Sequence, residues 1–226
     1  MTKAFFVTGT DTEVGKTHAT CALLRRARQE GFSAVGLKPV AAGTDATGQN
    51  EDVARLLAAS SLALPERIRN PWRFRSPIAP HLAAQQAGEE IRFAPILAAV
   101  ETARQAADYV FVEGVGGFRV PLGPDGDSAD LAQRLGLPVL LVVGLRLGCI
   151  NHALLTAEAI KARGLSLVGW IANSIAPHMP CRAENHQTLL DSLPPCLGLL
   201  PHAPPDIAAS HLALPGEGSA VAMGRR

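Results

Sequence analysis

Aromatic residues are scarce, at 4% of 226 residues, and aliphatic side chains dominate. That balance suits a buried parallel sheet covered by alanine- and leucine-rich helices. Charge of one sign is also lacking: 21 Lys and Arg stand against 20 Asp and Glu, for a net +1. There is no basic stripe or basic tail, so no nucleic-acid partner is expected. No long hydrophobic run occurs. The longest, Leu137 to Val143, contains Pro138 and is too short to span a bilayer, so no membrane partner is expected either. The first residues read as a strand rather than a basic, apolar leader, which points to a cytoplasmic protein. Cysteines at 21, 149, 181 and 196 include no Cys-x-x-Cys pair, so neither a zinc site nor a redox motif is signalled. Reduced, mostly buried thiols are expected instead. The seven histidines show no His-Glu-x-x-His or similar metal spacing.

What is present is concentrated near the start. Residues 9–17 read Gly-Thr-Asp-Thr-Glu-Val-Gly-Lys-Thr, after the apolar run Ala4-Phe5-Phe6-Val7 and before a helix-like run from Ala19 to Arg28. Strand, glycine-bounded loop and helix are the context a phosphate-binding loop needs. Backbone N–H groups in such a loop form an anion-binding concavity, and the helix adds its positive N-terminal end. The helix dipole is worth only ~0.3–2 kcal/mol per contact. That is too little to hold a triphosphate, so a lysine and a metal ion are expected. Lys16 supplies the point charge, and the Thr17 hydroxyl is placed to coordinate magnesium. Five residues separate Gly9 from Gly15, one more than the common pattern.

The length suffices for one α/β domain with a substantial core. Strand-like stretches at 4–8, 34–40, 109–113, 139–143, 167–172 and within 197–200 alternate with helix-like stretches at 16–31, from 51, 95–107, 128–135, 151–163 and within 182–193. The segment 64–80 carries four prolines and reads as an irregular excursion over the sheet edge. The remainder from Pro201 is rich in Pro, Ala and Gly, and much of it is expected to be poorly ordered. This alternation predicts a single-domain α/β P-loop NTPase-like fold over residues 1–226. Its mostly parallel central sheet would be flanked by helices on both faces, with the ordered core at about 2–212. Ligands of such sheets sit beyond the carboxyl ends of the strands.

The remaining candidates follow that rule. Glu113 ends a buried apolar strand and precedes Gly114-Val115-Gly116-Gly117. Such an acid can reach the metal beside the loop threonine, or cap a helix. Lys38 ends the second strand in Gly-Leu-Lys-Pro-Val, where a lysine that cannot snorkel needs an anionic partner; a phosphate is the simplest choice, and a solvated strand end the bland one. Asp52 begins a helix, where acids ordinarily serve as caps or dipole partners, and spacing does not separate it from Glu51. Asn151 in Gly148-Cys149-Ile150-Asn151-His152 reads most simply as an N-cap, and His152 as a surface or packing residue.

Together these stretches resemble the dethiobiotin synthetases. The resemblance runs through 7–17, Leu37-Lys38-Pro39-Val40-Ala41, 112–117, Val142-Val143-Gly144, 147–153 and Gly169-Trp170-Ile171-Ala172-Asn173, and spans residues 4 to about 200. The extra loop residue is itself characteristic. The resemblance implies an ATP-dependent cyclo-ligase that joins 7,8-diaminopelargonic acid and carbon dioxide into dethiobiotin for biotin synthesis. It proceeds through a carbamate and a carbamic–phosphoric anhydride. It further implies that Lys38, Lys16 and Thr12 act in catalysis, and that Thr17, Asp52 and Glu113 hold magnesium. Thr12, Glu13, Val14, Gly15, Lys16 and Thr17 would wrap the phosphates, beside Glu113, Gly114, Val115 and Gly116. Asn173 would read adenine, with Pro201, His202 and Ala203 lining the base. Lys38, Ala42, Gly148, Cys149, Ile150 and Asn151 would bind substrate, the last four across a homodimer.

Two residues depart from the family pattern. Ala42 stands where a serine is common, and Asn185 where a tyrosine is common; both changes bear on substrate affinity. The competing readings are another P-loop amidoligase-type enzyme and a partitioning or scaffold ATPase. The former would usually carry a glutamine-hydrolysing domain, for which no room remains after residue 200. The latter carries a second lysine early in the loop, where this chain has Thr10-Asp11-Thr12.

Overall fold

The computed structural model describes residues 2–216. In chain order the elements are β1 (Lys3–Gly9), α1 (Lys16–Gln29), β2 (Ala34–Leu37), β3 (Val40–Ala42), α2 (Glu51–Ala59), α3 (Glu66–Arg69), β4 (Trp72–Phe74), α4 (Pro80–Ala87), α5 (Phe93–Ala106) and β5 (Tyr109–Glu113). They continue with β6 (Pro121–Gly123), β7 (Gly126–Asp127), α6 (Ser128–Leu135), β8 (Val139–Gly144), α7 (Cys149–Ala162), β9 (Leu167–Asn173), α8 (Arg182–Ser192), β10 (Cys196–Leu200) and α9 (Pro205–Ala209).

Six strands form one parallel sheet in the order β10-β9-β8-β1-β5-β2. The apolar runs dictate this. β1, β5 and β8 alternate large side chains between two cores, as a strand covered on both faces must. Phe6, Val110 and Val112 enter one core with Ile91, Ile96 and Leu131. Phe5, Val7, Tyr109 and Phe111 enter the other, against Leu23 and Leu24 of α1. Each such side chain contributes about 1.5–3 kcal/mol on burial. A third cluster around Trp170, Val143 and Leu189 seats α7 and α8. The register pairs Val7 with Glu113, Gly9 with Val142 and Gly144 with Asn173. The carboxyl ends of the central strands therefore finish along one edge.

The stretch 34–40 is not one strand. β2 stops at Leu37, and β3 pairs with β4 in a separate two-stranded sheet. Pro39 lies at the break; it lacks an N–H and cannot continue the ladder. The proline-rich excursion contains α3 and β4, followed by α4, and a short hairpin of β6 and β7 precedes α6. The stretch after Pro201 is more structured than its composition suggests: α9 packs on α1, and Leu212 and Leu214 are buried in the core. Residues 217–226 lie outside the described residues. α7 begins at Cys149 with Gly148 as its N-cap, so Asn151 is an exposed residue of the first turn and not the cap. Gly148 takes a left-handed conformation (φ 90°) and starts the helix earlier than an asparagine cap would. No helix among the described residues is long and apolar enough to cross a membrane.

Candidate functional site

The loop between β1 and α1 is shaped by two backbone positions in the left-handed region, Glu13 (φ 60°) and Gly15 (φ 88°). Glu13 has no glycine's freedom there, and such strain persists only where the surroundings impose it. Gly15 is required twice over: beyond its φ, a Cβ there would sit 2.0 Å from Asn173 Nδ2. Gly15 is also the N-cap of α1 and offers no side-chain acceptor, so the N–H groups of the first turn face the loop uncapped. Lys16 folds its ammonium back onto the Asp11 carbonyl at 2.9 Å. Burial pushes its pKa down to about 8, a fall that Lys38 deepens and that Glu113 and Asp52 partly offset.

Lys38 is pinned at both ends of its peptide. Its N–H donates to the Arg69 carbonyl at 2.9 Å, and its own carbonyl accepts from Asn70 Nδ2 at 2.7 Å. The residue is 6% exposed, and its ammonium donates to Asp52 Oδ2 and to Glu113 Oε1, both at 2.7 Å. The anionic partner that the sequence demanded is thus a pair of carboxylates of the same chain. Burial opposes the charge of Lys38, but Glu113 and Asp52 outweigh it and hold its pKa above the ordinary value. For Asp52, burial acts upward, and the charge and hydrogen bond of Lys38 with the Thr17 hydroxyl bring its pKa below the usual range. Thr17 Oγ1 donates to Glu113 Oε1 at 2.6 Å.

These groups line one cleft of about 750 Å³, with Thr12, Glu13, Gly15, Lys16, Thr17, Lys38, Ala42, Asp52, Glu113, Val115 and Gly116 among its walls. Val14 lines neither cleft: its side chain is buried, and its carbonyl accepts from Asn173 Nδ2 at 2.9 Å. Gly114 lies behind the wall, its N–H on the Val7 carbonyl. An adjoining cleft of about 410 Å³ shares Glu13, Gly15 and His18 and is lined by Asn173, Pro201, His202 and Ala203. The His202 Nδ1 stands 3.3 Å from the Ser174 carbonyl and braces that rim. Gly148, Cys149, Ile150 and Asn151 line neither cleft. Asn185 lies on α8, donates to the Cys181 carbonyl at 2.7 Å and lines neither cleft.

Sequence reasoning missed several walls of the larger cleft: His18, Arg55 and the turn Pro77-Ile78-Ala79-Pro80. Arg55 had a readable signal, since it follows Asp52 by one helical turn and shares its face. The proline turn had none beyond its composition.

Among the described residues, no group of three or more His, Cys, Asp or Glu side chains could hold a metal unaided. Thr17, Asp52 and Glu113 still offer a set of hard oxygens, and Glu113 Oε2 is buried without a hydrogen-bond partner. Such a partial set fits magnesium, which takes few protein oxygens and completes its shell with water and substrate phosphate.

A family model described as "AAA domain" matches residues 3–207. The protein named ATP-dependent dethiobiotin synthetase BioD of Aromatoleum aromaticum is 56% identical over 221 residues, covering 95% of this chain and 98% of that one. Its namesake in Ralstonia nicotianae is 54% identical over 216 residues, covering 92% and 93%. Among solved structures, the septum site-determining protein MinD of Pyrococcus horikoshii, complexed with Mg-ADP, superimposes with a TM-score of 0.53 at 14% identity. That match covers 90% of this chain and 82% of MinD, and it is a likeness of fold alone.

Proposed function

The chain belongs to the ATP-dependent dethiobiotin synthetase family, and from that premise we propose that its cleft closes a ureido ring on 7,8-diaminopelargonic acid, with carbon dioxide as the carbon source and ATP as the phosphoryl donor. The observation that carries this reading is the Lys38 ammonium, fixed 2.7 Å from both Asp52 and Glu113 in the same cleft as the phosphate loop.

Carbon dioxide adds to one amine, which loses a proton and becomes a carbamate. A carbamate oxygen takes the γ-phosphoryl group and ADP leaves. The second amine attacks the carbonyl of the resulting anhydride, loses its proton and expels phosphate as the ring closes. A carbamate oxygen is a weak nucleophile toward a polyanion, so positioning and charge neutralisation supply most of the acceleration. Lys16 and Lys38 bring positive charge to the terminal phosphoryl. Lys38 also orients the carbamate, because its anchored peptide and paired carboxylates leave the ammonium little freedom. Thr12 and the backbone of residues 13–17 wrap the phosphates. Thr17, Asp52 and Glu113 would hold magnesium, which when bound neutralises charge on the phosphoryl oxygens. The open cleft beside Asn173, Pro201, His202 and Ala203 takes the adenine.

Gly148 to Asn151 serve the cleft of a second copy in a homodimer. That they line neither cleft of their own chain supports this, as do the neighbouring exposed Leu147 and Leu155. The four unpaired cysteines suit a reducing cytoplasm.

The test is release of ADP and phosphate from ATP, with dethiobiotin identified by mass. Release should depend strongly on both diaminopelargonate and bicarbonate. Release indifferent to them but stimulated by lipid or DNA would replace this reading with a scaffold ATPase.

A further inference from the structure

Three cations, Lys16, Lys38 and Arg55, face three carboxylates, Glu13, Asp52 and Glu113, across the larger cleft. The free cleft is therefore close to neutral, yet its ligand is a polyanion. Two of the cations are already engaged. Lys38 is bound to two carboxylates, and Lys16 lies on the Asp11 carbonyl. Arg55 is different. Its one ion pair among the described residues is to Glu51 at 3.8 Å, with the arginine side chain 40% exposed and that of Glu51 85% exposed. A pair so long and so solvated is worth little. Arg55 cannot lose its proton, and its planar fork matches phosphate oxygens two at a time. The helix α2 aims it: Asn50 caps the helix through the Val53 N–H, and Asp52 and Arg55, three residues apart, share one face. Asp52 is tied to Lys38, so that face is held toward the phosphate loop. Arg55 lines the cleft of the loop lysine but not the adjoining cleft beside Asn173, which sets it on the phosphate side of a bound nucleotide.

We propose that Arg55 is a nucleotide-positioning residue whose guanidinium binds the phosphate chain of ATP from the α2 side of the cleft. This rests on the ATP-dependent reading above. It adds a third cation, from a helix outside the phosphate loop, and without Arg55 the carboxylates of the cleft would outnumber its cations.

The experiment measures Mg-ATP binding by calorimetry and both Michaelis constants, in wild type, Arg55→Ala and Arg55→Lys. In Arg55→Ala, the Kd and KM for Mg-ATP should rise by about 10- to 100-fold. The KM for diaminopelargonate and the melting temperature without nucleotide should stay at wild-type values. Arg55→Lys should fall between the two, since it keeps the charge and loses the fork. An unchanged Mg-ATP Kd in Arg55→Ala overturns the proposal while leaving the family activity intact. So does an equal rise in both Michaelis constants with a lowered melting temperature, which marks a merely structural role. Failure of the wild type to bind Mg-ATP would instead overturn the ATP-dependent reading itself.

Discussion

At the phosphate end of the groove, Lys38, Asp52, Glu113 and Thr17 are bonded to one another before any ligand arrives. At the base end, the side chains of Asn173 and His202 hydrogen-bond, among the described residues, to backbone carbonyls, those of Val14 and Ser174. On the proposed reading, the contrast follows from what each end would recognise. Charges that meet a polyanion have to be buried and aimed, and a buried charge without a partner is too costly to keep. A neutral base asks for shape and a few hydrogen bonds, which backbone and amide groups supply without charge. Substitutions within the bonded cluster of Lys38, Asp52, Glu113 and Thr17 should therefore move rate and stability together. Those at the base end should move nucleotide affinity alone.

The sharpest break of that contrast is Lys38→Ala. The variant should fold, with a lowered melting temperature because Glu113 loses its charged partner and keeps only the Thr17 hydroxyl among the described residues, while kcat falls by ~10²–10³, the usual loss for one charge-stabilising donor. Circular dichroism and steady-state rates check both; wild-type turnover would remove Lys38 from the reaction. Next in size is Glu113→Ala, which leaves the Lys38 ammonium with Asp52 alone. A cost of about 3 kcal/mol is expected, seen as a fall in melting temperature of about 6–12 °C for a chain of this length. Pairing it with Lys38→Met should recover much of the loss, because the uncompensated charge goes with it; an additive loss would show that the two side chains are not coupled.

A smaller effect comes from pH. Lys16, with its pKa pushed down to about 8 from the ordinary 10.5, is charged below that value and sheds its proton in the free protein as pH rises through it. Mg-ATP affinity should fall by up to about tenfold from pH 8 to pH 9, and calorimetry at pH 7, 8 and 9 would reveal it. The linked stability term has the opposite slope. Between about 8 and 10.5 the unfolded chain holds more protons at this position than the folded one, so this contribution rises with pH. Smallest is Asn173→Ala, which removes the bond to the Val14 carbonyl. The KM for ATP should rise by about 3- to 10-fold with kcat nearly unchanged. A large fall in kcat would mean that the base end braces the reacting groups after all.

Much of this architecture could be read before any coordinates. The central strands betray themselves because both faces are buried, and an unbroken run such as Tyr109 to Glu113 has few other uses. The loop Gly9 to Thr17 is legible because its chemistry depends on backbone geometry that only particular residues permit. Pro39 was the misleading residue: it reads as a strand's end, but the chain resumes at Val40 against a different partner, Trp72. The helix α4 and the hairpin of β6 and β7 hide among prolines and glycines whose local preferences are for turns, and tertiary packing overrides them. Arg55 stayed hidden because a lone arginine on a helix is ordinarily solvated. Its one clue, the face it shares with Asp52 one turn earlier, gains weight only once the fold turns that face onto the phosphate loop.

Glu113 Oε2 is buried beside the cleft with no hydrogen-bond partner among the described residues. An oxygen cut off from both water and protein partners has a higher chemical potential than the same oxygen in solution. Any cation able to reach it is therefore drawn in more strongly than two surface acids would draw it. Collapse of the hydrophobic sheet, completed far from the cleft, would thereby supply part of the driving force for capturing a cation at this oxygen.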